Sequence, residues 1–133
     1  MHAQESTSAE KKAVQETILN FFDALSHRDS VQLKSFSTVD ISLFEYGQIW
    51  NIDTLILKAI TLNQSADFKR ANSFEFINTR GDRDLAWVSY RLQSIIFKEG
   101  TQVTIRWLET VVLVKEQQRW KIKHLHSTLI NRN

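Results

Sequence analysis

The sequence predicts an α+β fold in which helices come first and an antiparallel sheet follows. Three observations carry this expectation. Apolar residues recur at helical spacing through the first third of the chain, and four later segments are rich in β-branched and aromatic residues. The polar breaks between those segments are short enough for hairpins. Helices followed by a meander of strands place the helices on the concave face of a curved, mainly antiparallel sheet.

Thr7 followed by Glu10 is a capping-box pattern that opens the first helix. Val14, Ile18, Phe21, Phe22 and Leu25 then form one apolar stripe. The stretch "SHRDS" ends that helix, and Asp29 or Ser30 can cap a short second one carrying Leu33 and Phe36. "ISLFEY", Ile41 to Tyr46, reads as a strand, with a turn around Gly47. From Asn51 or Asp53, the residues Ile52, Leu55, Ile56, Ala59 and Ile60 again fit a helix. After Arg70 come the strands "NSFEFINT", "LAWVSYRLQSIIF", "QVTIRWLETVVLVK" and "RWKIKHLHSTLI", separated by "RGDRD", "KEG" and "EQQ".

No repeat, low-complexity tract or proline interrupts the 133 residues, so a single domain over 1–133 is expected, with 1–7 a flexible tail. A formal net charge of +2 is spread over the chain, and only Arg119, Lys121 and Lys123 cluster. That argues against a nucleic-acid footprint, which needs a larger coherent patch. The absence of cysteine excludes disulfides, thiol catalysis and cysteine-ligated zinc. No apolar run has the length of a membrane span, and "MHAQESTSAE" lacks the apolar stretch of a signal peptide. A soluble protein is expected, either cytoplasmic or exported after loss of a signal.

"ET" at Glu109–Thr110, followed after a hairpin by "W-x-I-x-H-x-H-S" from Trp120 to Ser127, resembles the SnoaL-like branch of the nuclear transport factor 2-like superfamily. It is similar also to the association domain of calcium/calmodulin-dependent kinase II. "AWVSYRL", the helix ending before Asp29 and the turn "YGQIW" extend the resemblance over nearly the whole chain. It implies a cystatin-like cone with a pocket between helices and concave sheet. It does not fix an activity, since that superfamily holds isomerases, dehydratases, cyclases and oligomerisation modules.

Strand alternation puts Trp87 and Arg91, then Trp107 and Glu109, then Leu125 and Ser127 at odd positions. Tyr90, Val112, Val114, Trp120, Ile122, His124 and His126 fall at even ones. The last hairpin leaves two registers open. A three-residue loop at Glu116–Gln118 sets Glu109 across from Leu125, whereas a two-residue turn at Gln117–Gln118 sets it opposite His126. The resemblance favours the longer loop and an odd-type concave face. It implies arginines lining the cavity, of which Arg91 is retained while Val111 and Ser127 stand where two others would be. The expected ligand-binding residues are therefore Trp87, Arg91, Trp107, Glu109 and Ser127, apolar walls around a few convergent polar groups.

Three functions follow as expectations. The first is a binder of a small acidic or polar organic ligand. The second is an enzyme of isomerase, dehydratase or cyclase type with Glu109 or a histidine as acid or base. The third is an oligomerisation module. An arginine beside Glu109 would lower its pKa and weaken it as a base. No equivalent of the steroid isomerases' aspartate–tyrosine arrangement is expected, because Tyr90 falls on the even, convex face. His124 and His126 supply two metal ligands at most, so neither a metal nor a cofactor is expected. The apolar even face, with Val112, Val114, Trp120 and Ile122, is expected to join two copies in a homodimer.

Overall fold

The computed structural model describes residues 7–133. Of the tail expected at 1–7, residues 1–6 lie outside the described residues, and Thr7 is the N-cap of the first helix. Its hydroxyl accepts from Glu10 N at 3.1 Å while the Glu10 carboxylate accepts from Thr7 N at 3.2 Å. This capping box starts helix α1, Ser8–Ser26, whose buried face is Val14, Thr17, Ile18, Phe21, Phe22, Ala24 and Leu25. Burying a side chain of the size of Ile18 or Phe21 stabilises the fold by about 1.5–3 kcal/mol. Asp29 caps the short α2, Ser30–Ser35. Strands β1, Ser37–Glu45, and β2, Gln48–Trp50, form a hairpin. Asn51 caps α3, Ile52–Ile56, which runs directly into a π-helical turn, Leu57–Thr61. Four long strands follow: β3 Lys69–Gly81, β4 Leu85–Lys98, β5 Thr101–Glu116 and β6 Arg119–Arg132.

The sheet order is β2-β1-β6-β5-β4-β3. Its neighbours are antiparallel except β1 and β6, which are parallel. The helices pack on one face, so the α+β cone is as expected. No helix among the described residues is long and apolar enough to cross a membrane.

Turn length decides which side chains share that inner face. Glu99–Gly100 is a two-residue turn with both φ positive, and Lys98 pairs with Thr101. Even positions of β4 therefore share a face with odd positions of β5. Tyr90 lies opposite Glu109, and Arg91 opposite Leu108. The expectation that odd joins odd between these strands is corrected by this single turn.

The last hairpin follows neither expected pairing. It begins as a two-residue turn, Gln117–Gln118, with Glu116 opposite Arg119. A bulge then absorbs Lys123, so Leu113 faces Ile122 but Val112 faces His124. Beyond it Glu109 lies opposite Ser127, and His126 opposite Thr110. The same bulge splits β6: Trp120 and Ile122 turn inward before it, Leu125 and Ser127 after it, and all four are buried. Trp120 and Ile122 thus belong to the core, not to the expected outer patch. Val112 and Val114 do lie on the outer face, half-buried.

Candidate functional site

A cavity of about 220 Å³ opens between the helices and the inner face of the sheet. Phe22 and Leu25 of α1, Trp50, Leu55 and Ala59 wall one side, and Ile96, Ile105 and Trp107 the other. Its polar groups are Glu45 at the end of β1, Tyr46 beside it in the hairpin turn, Arg70 at the start of β3 and Glu109 in the middle of β5, with Lys58 on the π-helical turn.

Arg70 is held from behind. Its Nε donates to Asn72 Oδ1 at 2.9 Å and its Nη2 to Ser94 Oγ at 3.0 Å. Ser94 in turn donates to Asn72 Oδ1 at 2.7 Å, and Asn72 Nδ2 donates to Ser26 Oγ at 2.8 Å. The guanidinium lies 5.5 Å from the Trp107 ring centre and 5.9 Å from that of Phe22. It is attracted by Glu109 and Glu45 but forms an ion pair with neither. Burial lowers its pKa, although an arginine stays charged at any working pH.

Glu109 is 4% exposed and accepts a hydrogen bond of 2.6 Å from the Tyr90 hydroxyl. Burial raises its pKa, and Tyr90, Ser127 and Arg70 oppose that rise. Tyr90 is itself pushed well above its ordinary range by burial and by Glu109. Glu45 is held at about 8, first by burial and then by repulsion from Glu109, with Arg70 pulling the other way. The Ser127 hydroxyl lies near both carboxyls and lowers each, yet reaches hydrogen-bond geometry with neither. Near neutral pH the arrangement is a protonated Glu45 beside a phenol-bound Glu109, with a fixed guanidinium across the cavity.

Glu45, Tyr46 and Trp107 also line a second hollow of about 280 Å³, together with Gly47, His126, Ser127, Thr128 and Leu129. Glu45 therefore stands in the partition between the cavity and an opening at the sheet end.

Of the five residues expected to bind ligand, the structure brings together Trp107, Glu109 and Ser127 and separates Trp87 and Arg91. The two-residue turn at Glu99–Gly100 sends Trp87 and Arg91 to the outer face, where Trp87 is 42% exposed and Arg91 Nη1 donates to Glu75 Oε1 at 3.0 Å. Arg91 lines an outer hollow of about 280 Å³ with Arg106, Gln93 and Glu75. Its charge there is already matched by Glu75 in open water, so that hollow is the weaker candidate. Tyr90, expected on the convex face, is instead fully buried beside Glu109, so a carboxyl–tyrosine pair does exist inside the cone. His124 and His126 lie on the outer face against Phe44, with His124 Nδ1 2.8 Å from Ser42 Oγ. Among the described residues no group of three histidine, aspartate or glutamate side chains is placed to hold a metal ion.

Sequence reasoning missed Arg70 and Glu45. The signal for Arg70 was its place in the alternation Arg70, Asn72, Phe74, Phe76, whose later members are aromatic and face the core. Glu45 continues the inward positions Ile41 and Leu43 of β1, a carboxylate where the pattern calls for an apolar residue.

In fold the chain is similar to several solved structures. A ketosteroid isomerase-like protein from Erwinia carotovora atroseptica superposes with a TM-score of 0.71 at 16% identity, covering 94% of this chain and 99% of that one. A protein of unknown function with a cystatin-like fold from Nostoc punctiforme gives 0.74 at 16% identity, covering 95% of each chain. The calcium/calmodulin-dependent kinase II hub homology domain of Chlamydomonas reinhardtii gives 0.80 at 19% identity, covering 94% of this chain and all of that one (100%). Identities this low establish the fold alone. No curated protein matches the chain in sequence. The model of the SnoaL-like domain family, by contrast, matches residues 14–131, and the chain belongs to that family.

Proposed function

We propose that the protein binds a small cyclic or aromatic organic acid in the inner cavity, with Arg70 as the anchor for its carboxylate. One observation carries this reading: a guanidinium fixed by Asn72 and Ser94, without an ion pair among the described residues, in the wall of an aromatic-lined cavity. Buried charges ordinarily have partners, and a ligand carboxylate supplies the missing one. A cavity of about 220 Å³ is smaller than typical drug-sized pockets, which matches a single-ring acid. Calorimetry with benzoate and with benzamide tests this. Benzoate should bind, benzamide should bind more weakly, and Arg70→Met should weaken benzoate by about tenfold or more while sparing benzamide, the loss of a charge-assisted contact. Equal affinities for the two compounds, or an unaffected Arg70→Met variant, would remove the basis of the reading.

A second reading, acid–base catalysis on a small cyclic substrate, is favoured by the pKa of about 8 at Glu45, within reach of neutral pH. Glu109 is the less suited carboxyl, being buried and engaged by Tyr90; His124 lines neither hollow, and His126 lines only the outer one beside Glu45. On this reading Glu45→Gln abolishes turnover and spares binding.

The reading includes a homodimer formed through the outer sheet face. Trp87 and Leu108 are each 42% exposed there and are joined by Val112, Val114 and Phe44 into an apolar surface that monomers seldom leave in water. Light scattering at micromolar concentration should give a dimer that Leu108→Arg converts to a monomer; a monomeric wild type removes this part of the reading.

A further inference from the structure

We propose that Glu45 sets the ligand specificity of the cavity by donating its own carboxyl proton to the bound anion, so that ligand and proton are taken up together. This rests on the reading of Arg70 as a carboxylate anchor. The inference starts from geometry. Glu45 and Glu109 both line the cavity and repel each other, and Arg70 pairs with neither. The Tyr90 phenol is committed to Glu109, and Tyr46 makes no hydrogen bond to Glu45 among the described contacts. No described side chain donates to Glu45 in hydrogen-bond geometry. A half-buried carboxyl so placed is more stable neutral than charged. Neutral, it carries an O–H that no described acceptor engages in hydrogen-bond geometry, and a ligand oxygen in the cavity can accept from it.

The surroundings of Glu45 point the same way from each element. Glu109 comes from β5, with Tyr90 of β4 bound to it, and Arg70 from β3. Ser127 comes from β6, and Lys58 of the π-helical turn shares the cavity. Tyr46 is its neighbour on the hairpin, and His126 lines the outer hollow with it. An incoming carboxylate placed between Arg70 and Glu45 would accept from a guanidinium on one side and from an O–H on the other. A neutral amide would forgo the charge-assisted bond to Arg70, and a dianion would bring a second negative charge into an apolar-walled cavity where one guanidinium is already engaged. The ligand class is therefore a monoanion. Its negative charge strengthens the hold of Glu45 on its proton, and once the free protein has lost that proton, binding has to recover it from solvent.

The experiment is benzoate titration calorimetry from about pH 6.5 to about pH 9.5 in buffers of different ionisation enthalpy. Wild type should take up almost no proton at the acid end and approach one proton per site at the alkaline end. Its affinity should fall about tenfold per pH unit above the Glu45 midpoint, the slope of one linked proton. Glu45→Gln should flatten that slope, and His126→Asn should retain it. Benzoate binding without proton uptake, or with a slope that survives in Glu45→Gln, overturns this inference and leaves Arg70 as the anchor. No benzoate binding at any pH overturns both.

Discussion

Replacing Glu45 by glutamine should stabilise the protein increasingly as pH rises. The carboxyl titrates at about 8 in the fold, against 4.5 in its ordinary state, because burial penalises its charge and Glu109 repels it. A folded pKa above the unfolded one means that the native state holds the extra proton between those values. Stability therefore falls as pH climbs from 4.5 toward 8 and levels off above that window. At face value the full displacement corresponds to about 5 kcal/mol. Water reaching the carboxyl from the hollow beside Gly47, and rearrangement of the side chain, reduce the expected cost to about 2 kcal/mol. Glutamine keeps the shape and carries no charge, so it escapes this cost. Urea unfolding followed by tryptophan fluorescence, at about pH 4, 6 and 8, should show the two proteins nearly equal at the acid end. The variant should be ahead by about 2 kcal/mol at the alkaline end. A constant difference across the series, or one that grows toward acid, would refute the reasoning.

Tyr90→Phe removes the donor from a carboxylate that is 4% exposed and should cost about 1–3 kcal/mol, measured as a lower midpoint in the same urea titration. Gln118→Gly should stabilise the last hairpin by about 0.5–1 kcal/mol, because Gln117 and Gln118 both hold positive φ without a glycine; calorimetric melting will show it. Trp120→Ala should cost about 3–5 kcal/mol through the core while leaving the mass measured by light scattering unchanged, as befits a residue that faces inward.

Much of the fold could be read from the chain because its signals are local. The α1 stripe, the Thr7–Glu10 box and the cap at Asp29 depend on residues a turn apart, and each is present in the structure. Strand alternation likewise marked β4, β5 and β6. The site was harder because it depends on which alternation of one strand meets which of the next. One residue more or less in a turn reverses that choice. "KEG" contains the two-residue turn Glu99–Gly100, and reading it otherwise put Arg91 and Trp87 inside and Tyr90 outside. Trp107, Glu109 and Ser127 came together because β5 and β6 regain an odd-with-odd pairing through the bulge at Lys123. Nothing local in "KIKHL" announces that bulge. Arg70 and Glu45 sit at strand ends beside turns, where an alternating pattern is shortest and carries least information.

The bulge at Lys123 has a consequence for how β6 can change. It works as a phase shift in the middle of one strand, dividing it into two stretches with opposite parity. Trp120 and Ile122 face the core before the shift; after it Leu125 faces the core and Ser127 the hollow beside Glu45, while His124 and His126 face the outer surface. Residues on one side of the shift can be exchanged without dictating the facing of those on the other. Loss of the single extra residue would couple the two stretches again, turning either the histidines into the cone or the tryptophan out of it.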